Sequence, residues 1–270
     1  LYSEFPRNQV FHWQTGNHKE TMQQFKTART QDDVIVELSI VNNRIAPNAM
    51  EMRQIIAMPH PDTDDTDDLL IWCGTQGTVS LSRQIAKALK LSKEKVHLRS
   101  GNVGGGFGYK IFLHPEQLCV SWAAKKLRKT VRWQQDRSEG FISDLQGRDV
   151  QGFAKALVSK KGKIKALQFR NQANLGSWLS NFGIYVPTKS TCRTLTTLYD
   201  IPYVSFQVTG VVTNTPAIDA YRGAGRPEAN YMMERLMDKI AFDLKLDRIE
   251  VRKVNLIQPD QIPYETVCSG

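Results

Sequence analysis

The chain has 270 residues, with 36 Lys and Arg against 27 Asp and Glu, a formal charge of +9, and 41% hydrophobic residues. That composition excludes disorder as the main state and is enough for one large or two medium domains with a real core. Its longest apolar stretches, such as Leu69-Leu70-Ile71-Trp72, soon meet polar residues, which excludes a helix long and apolar enough to span a membrane.

The beginning, Leu1-Tyr2-Ser3-Glu4-Phe5-Pro6, has no Met, basic stretch or apolar stretch, and reads as a processed or excised start rather than a targeting signal. Residues 32–58 carry two strand-like runs, Val34 to Val41 and Met50 to Met58, split by the turn-prone Asn42-Asn43 and Pro47-Asn48, which predicts a hairpin-like pair. The acidic run Asp62 to Asp68 lacks the Gly and Glu of a calcium loop and is expected to be a solvated loop. Leu69 to Cys73 reads as a buried strand, and Val79 to Leu91 as a helix with Val79, Ile85, Ala86 and Leu89 at helical spacing. Lys95 to Arg99 is a further strand, Pro115 to Leu127 a helix opened by proline, and Thr130 to Gln135 a strand. Two alternating stretches, Gly152 to Ser159 and Ile164 to Ala173, flank Lys160-Lys161-Gly162-Lys163, whose glycine permits the turn of a hairpin. Tyr203 to Thr213 follows as a strand. Pro227 to Leu244 is a helix with Met232, Leu236, Ile240 and Leu244 on one stripe, and Asp247 to Leu256 is a second helix. Strands and helices thus mix along the whole length, which predicts an α+β fold of mixed sheets with packed helices, divisible into sub-parts 1–145 and 146–270.

Four cysteines, Cys73, Cys119, Cys192 and Cys268, lie far apart without a C-x-x-C pair. Neither a zinc site nor a disulfide scaffold is signalled, and reduced thiols in a cytoplasmic setting are expected. The excess positive charge suits nucleic acid, an acidic partner or an anionic cofactor. Nucleic acid is disfavoured, because Lys125-Lys126-Leu127-Arg128-Lys129 and Lys160-Lys161-Gly162-Lys163 form separate short clusters without interleaved aromatics.

Three stretches carry chemistry. In Val103 to Lys110, Gly104, Gly105, Gly106 and Gly108 remove Cβ atoms around Phe107, so that backbone N–H groups can approach a ligand; a merely flexible loop is the other reading. The stretch fails both the dinucleotide fingerprint, which needs a small residue at Tyr109, and the P-loop. In Thr215 to Glu228, Arg222 and Arg226 precede a strong helix, where a planar guanidinium and unpaired N–H groups favour an anion; a solvated arginine pair is the alternative. Gln76, in the turn after the 69–73 strand, places an amide donor beside a strand end, although a glutamine in any such turn would look alike.

With these three stretches in this order, joined by Asn43 to Glu51, Ala173 to Ser180 and Val254 to Ile257, the chain resembles the molybdenum-cofactor-binding large subunit of the xanthine dehydrogenase, aldehyde oxidase and carbon monoxide dehydrogenase family. The resemblance implies the molybdenum-cofactor-binding type of domain, here the first half of the molybdopterin-binding portion, with an N-terminal domain and the second half outside residues 1–270. It implies a molybdenum–molybdopterin cofactor, extended as a cytosine dinucleotide in many members, with 2Fe-2S and FAD on partner subunits. The partners would be the rest of the large subunit, an iron–sulfur subunit and a flavin subunit. By position, Gln76, Gly105, Gly106, Phe107, Gly108, Arg222, Gly223 and Ala224 would bind the cofactor. No residue would ligate the metal directly, and the catalytic glutamate would lie outside this chain. The activity implied is oxidation of a substrate carbon with water as the oxygen source, absent from the isolated chain.

Two departures bear on the substrate. Copper-binding members that oxidise carbon monoxide place a cysteine after the arginine, where this chain has Gly223; purine oxidisers place a glutamate after the lysine, where it has Ile111. An aldehyde or an N-heterocycle is expected instead, with Phe107, Trp178 and Tyr221 as pocket walls or core residues. The alternative is a catalytically silent fragment that keeps the fold as a partner-binding module.

Overall fold

The computed structural model describes residues 2–28, 33–65 and 67–268. Leu1, residue 32 of the first strand-like stretch, Thr66 of the acidic run and the closing Gly270 lie outside the described residues. In chain order the elements are β1 (Gln9–Gly16), α1 (His18–Thr27), β2 (Val34–Asn42), β3 (Gln54–Pro59), β4 (Leu69–Cys73), α2 (Thr78–Ala88), β5 (Val96–Arg99) and α3 (Pro115–Leu127). Then follow β6 (Val131–Gln134), α4 (Arg137–Ser143), β7 (Val150–Val158), β8 (Ile164–Asn174), β9 (Tyr203–Val211), α5 (Arg226–Leu244) and α6 (Arg248–Lys253). The predicted elements from 69 onward all form, with ends shifted by a few residues. The sequence did not signal β1, α1, α4 or a π-helical turn at Val186–Ser190.

The chain forms two compact units that interleave along the sequence. One comprises Leu1–Ile45, Gly147–Asp219 and Gly223–Gly270; the other comprises Ala46–Gln146 and Ala220–Arg222.

The first unit is built on a mixed sheet in the order β1-β9-β8-β7-β2. Here β7 and β8 form the predicted hairpin, turning through Gly162 at φ +85°. On one face Ala154, Ala156, Val158, Leu167, Phe169, Val204, Phe206 and Val208 pack with Met232, Met233, Leu236, Met237 and Ile240 of α5. Each large side chain so buried stabilises by about 1.5–3 kcal/mol. A Cβ at Gly152 would lie 2.9 Å from the Met232 sulfur, so the missing side chain admits the helix. Phe25 of α1 and the neighbouring Ala28 pack with Leu157 and Ala166 in a smaller cluster. Fully buried Asn255, just after α6, donates to the carbonyls of Gly162 and Val251 at 2.8 Å each and accepts from Ile164 N–H at 2.8 Å, fixing the hairpin turn to the helix.

The second unit has a mixed sheet in the order β5-β4-β3-β6. Strands β4 and β5 run parallel, with α2 as their crossover. Ile55, Ala57, Leu69 and Ile71 of the sheet pack with Leu81 and Ile85 of α2 and Val120 and Ala124 of α3. Both sheets are mixed and carry helices, as expected for an α+β fold. Among the described residues no helix is long and apolar enough to cross a membrane.

The predicted pairing of the first two strand-like runs does not occur. β2 pairs antiparallel with β7, from Val34–Val158 to Asn42–Val150, while β3 pairs with β4 and β6 in the other sheet. Nor does the second run begin at Met50. Asn48 is left-handed at φ +47°, and Arg137 donates to Asn48 Oδ1 at 2.6 Å, Ala49 O at 2.8 Å and Met50 O at 3.1 Å. These bonds take the carbonyls that a strand ladder would use, so extension starts only at Gln54.

Candidate functional site

Within the second unit, β4 ends at Cys73 and the chain turns through Gly74, Thr75 and Gln76 into α2, while the glycine-rich loop follows β5. The turn and the loop are joined by several bonds. Thr75 Oγ1 and Gln76 N–H both donate to Lys110 O, at 2.9 and 3.1 Å, and Gly108 N–H donates to Gln76 Oε1 at 2.9 Å. That last bond sets the amide orientation: oxygen toward the loop, with the Nε2 donors left on an exposed side chain. A Cβ at Gly106 would sit 2.5 Å from Gln76 Cδ and Oε1, so the glycine is what lets the glutamine lie flat on the loop. Gly108 has φ +107°, and a Cβ there would run into the Ala220 carbonyl.

The loop is held from behind by an ion pair. The Lys110 ammonium, whose side chain is 1% exposed, donates to Glu51 Oε2 at 2.7 Å and to Glu51 O at 2.8 Å. Glu51 Oε2 also accepts from Gly104 N–H at 2.9 Å, and Glu51 N–H donates to Gly104 O at 3.1 Å. Glu51 thus ties the first glycine of the loop to its last residue. Burial raises the Glu51 carboxyl, but the bonds from Lys110 and Gly104 outweigh it and hold the group below the usual carboxylate range.

The front of the loop is different. Among the described residues, the N–H groups of Gly105, Gly106 and Phe107 have no hydrogen-bond partner. Phe107, left-handed at φ +49° between glycines, presents its carbonyl to Arg222 N–H at 2.9 Å, and its ring carries the Arg222 guanidinium 4.9 Å from the centroid. Gln76, Gly105, Gly106, Phe107, Gly108 and Arg222 therefore occupy one place, and Arg222 and Gln76 are both exposed there. Gly223 and Ala224, the remaining expected residues, belong to the first unit. There Gly223 O accepts from Arg226 N–H at 3.2 Å and Ala224 O accepts from Ser190 Oγ, so both carbonyls serve the entry to α5. Tyr221 is half-buried in the second unit, whereas Trp178 is exposed in the first.

Sequence reasoning missed the work of Glu51 and Lys110, because a pair separated by 59 positions leaves no spacing signal. It also missed a buried cluster behind the site. Arg53, fully buried, donates from Nε to Asp144 Oδ1 at 2.6 Å and from Nη1 to Glu116 Oε2 at 2.8 Å, and lies over the Trp133 ring at 5.4 Å. His114 Nε2 bonds Tyr109 O at 2.8 Å, and burial followed by the Arg53 charge pushes its pKa down to about 4.

Three unpartnered backbone donors in succession, an amide NH₂ and an exposed guanidinium form a donor-rich surface, the type that takes an anion or a carbonyl-rich ring. The molybdopterin cofactor-binding domain matches residues 1–256. The chain belongs to that family. It is 28% identical over 230 residues to the 6-hydroxypseudooxynicotine dehydrogenase complex subunit gamma of Paenarthrobacter nicotinovorans, covering 85% of this chain and 28% of that one. With the carbon monoxide dehydrogenase large chain of Hydrogenophaga pseudoflava it shares 29% identity over 264 residues, 96% of this chain and 32% of the relative. The solved quinoline 2-oxidoreductase from Pseudomonas putida 86 superposes with a TM-score of 0.84 at 25% identity, over 96% of this chain and 32% of that structure. The chain thus spans under a third of the length of each of these three relatives. A molybdopterin, with its carbonyl, ring nitrogens and phosphate, is an acceptor-rich group that fits the donor set found here.

Proposed function

We propose that this chain supplies one wall of the molybdopterin site in a molybdenum hydroxylase that oxidises an aldehyde or an N-heterocyclic substrate. The observation that carries the reading is the row of unpartnered N–H groups at Gly105, Gly106 and Phe107 beside the Arg222 guanidinium. When bound, the molybdenum–pterin group supplies a two-electron oxidation in which water is the oxygen source. This chain's own residues bind and orient. With no Cβ at Gly105 and Gly106 the backbone there would let the cofactor come close, Gln76 Nε2 would donate to it, and Arg222 would offer a planar fork beside the Phe107 ring.

Carbon monoxide fits less well as substrate. Gly223 stands where a copper-binding cysteine would be, and a Cβ there would lie 2.6 Å from the Pro227 ring at a backbone φ of +92°. An N-heterocycle is in keeping with the nicotine-derived and quinoline substrates in the names of two of the similar proteins. The cofactor's dinucleotide extension as cytosine, and iron–sulfur and flavin subunits as electron acceptors, complete the proposal, together with the rest of a large subunit that supplies the catalytic glutamate.

The test is molybdenum and pterin content of the purified complex carrying the wild-type chain, Gly106→Ala or Arg222→Met. Both changes touch the front of the loop and leave the core intact. Each is expected to cut occupancy several-fold while the subunits still assemble. Equal occupancy in all three, or a wild-type complex that assembles without metal, refutes the proposal, the latter in favour of a silent partner-binding module.

A further inference from the structure

Away from the glycine loop, the second unit carries a cleft of about 410 Å³ lined by Asp67, Ala88, Leu89, Lys90, Trp122, Lys125, Lys126 and Arg128. It lies where α2 and α3 end: α2 closes at Ala88 and α3 at Leu127, with Lys90 and Arg128 left-handed at φ +57° and +53°. Trp122 is 56% and Leu127 60% exposed, large apolar surface for solvent to wet beside four cations.

The charge there exceeds what the fold requires. A helix C-terminus carries about half a negative charge, so two ends are balanced by about one cation. Asp67 balances a second, pairing with Lys125 at 2.6 Å. Lys90, Lys126 and Arg128 make no ion pair among the described residues, and about two positive charges remain crowded in one cleft, a cost to stability rather than a gain.

The geometry points to this cleft as the docking site for an acidic, extended protein segment that carries an aromatic or long apolar residue. Carboxylates of the segment meet Lys90, Lys126 and Arg128 as Asp67 already meets Lys125, and the apolar residue lies on Trp122 and Leu89. A nucleic acid fits less well. The end of α3, where Arg128 is left-handed and no capping backbone bond forms among the described residues, presents carbonyl oxygens that a peptide N–H can satisfy, whereas a phosphodiester backbone offers no donor, and a single tryptophan gives no stacking ladder.

The experiment is fluorescence anisotropy of a fluorescein-labelled Glu-rich peptide with one central Phe, titrated with the full chain at about 0.15 M salt. The comparison ligands are the same peptide with Gln for Glu and a single-stranded oligothymidylate. The acidic peptide is expected to bind, and the Gln peptide at least about tenfold more weakly, as two or three exposed charge pairs imply. The variant Lys126→Glu/Arg128→Glu and, separately, Trp122→Ala are each expected to weaken the acidic peptide by a similar factor. Lys161→Glu, an exposed turn residue in the other unit, is expected to leave it unchanged. These positions are at the surface, and thermal melts confirm that the variants fold. Absence of peptide binding, equal binding of the Gln peptide, tighter binding of the oligonucleotide, or an equal loss in Lys161→Glu overturns the proposal.

Discussion

Replacing Lys110 by methionine keeps most of the buried aliphatic stem and removes the ammonium. Two charge-assisted bonds disappear, to Glu51 Oε2 at 2.7 Å and to Glu51 O at 2.8 Å. Breaking a fully buried pair costs about 3–5 kcal/mol, because the abandoned partner stays desolvated. The Glu51 side chain is 20% exposed and keeps its bond from Gly104 N–H, so the cost falls at or below the bottom of that range, about 2–3 kcal/mol. For a chain of this size that corresponds to a fall in Tm of about 4–12 °C. The pH dependence identifies the cause. In the wild type, Glu51 sits below its unfolded pKa, so it stabilises above that value and the contribution is lost as pH falls through the folded one. Without Lys110 the burial effect dominates and the carboxyl moves up, so the variant gains relative to the wild type on acidification. Urea unfolding followed by tryptophan fluorescence, at neutral pH and near pH 4.5, with Glu51→Gln and the double variant, measures this. The double variant is expected to recover at least about 1 kcal/mol of the summed losses, since neither charge is then stranded. Strict additivity, or an identical deficit at both pH values, would refute the clamp.

Two further outcomes concern the cluster behind the loop. His114 has its pKa pushed down to about 4 by burial, so the unfolded state binds a proton at higher pH than the folded state does. Stability is therefore full above about pH 6.5 and declines as pH falls toward 4, by up to about 3 kcal/mol, and His114→Asn is expected to flatten that slope in urea titrations at stepped pH. Arg53→Met strands Asp144, whose side chain is 8% exposed, and is expected to lose about 3–5 kcal/mol. Arg53→Lys would recover little, because one ammonium cannot reproduce the fork that reaches Asp144 and Glu116 together; chemical unfolding of both variants checks this.

What was legible in the sequence was local. The β7–β8 hairpin announced itself through alternation on both sides of Gly162, α3 through proline at its first turn, and α5 through proline at its first turn and an apolar stripe. Pairing over distance left no such mark. β2 finds its partner 108 or more positions away, and a period-two pattern says that a strand has a buried face without saying which strand covers it. β1 and α1 were obscured by polar residues: Gln9 to Gly16 alternates His12 and Gln14 outward with only Phe11 and Trp13 packed on the core. The site followed the same division. Missing Cβ atoms and an arginine fork are properties of single positions and could be read directly, whereas Glu51, Lys110 and Arg53 act through partners from remote parts of the chain.

The ends of the long excursion through residues 46–146 are tied together, since Ile45 N–H donates to Gly147 O at 3.0 Å and Gly147 N–H donates to Ile45 O at 2.9 Å. With β2 and β7 already paired, residues 46–146 are in effect an enlarged hairpin loop of about a hundred residues. Closing so long a loop from an unstructured chain is entropically expensive and slow, but a compact insert whose ends emerge side by side removes most of that penalty. Refolding kinetics should therefore show the four-stranded sheet gaining protection from hydrogen exchange before β2 does, and variants that weaken the Ile55–Ile71 core should delay the pairing of β2 with β7 although they touch neither strand.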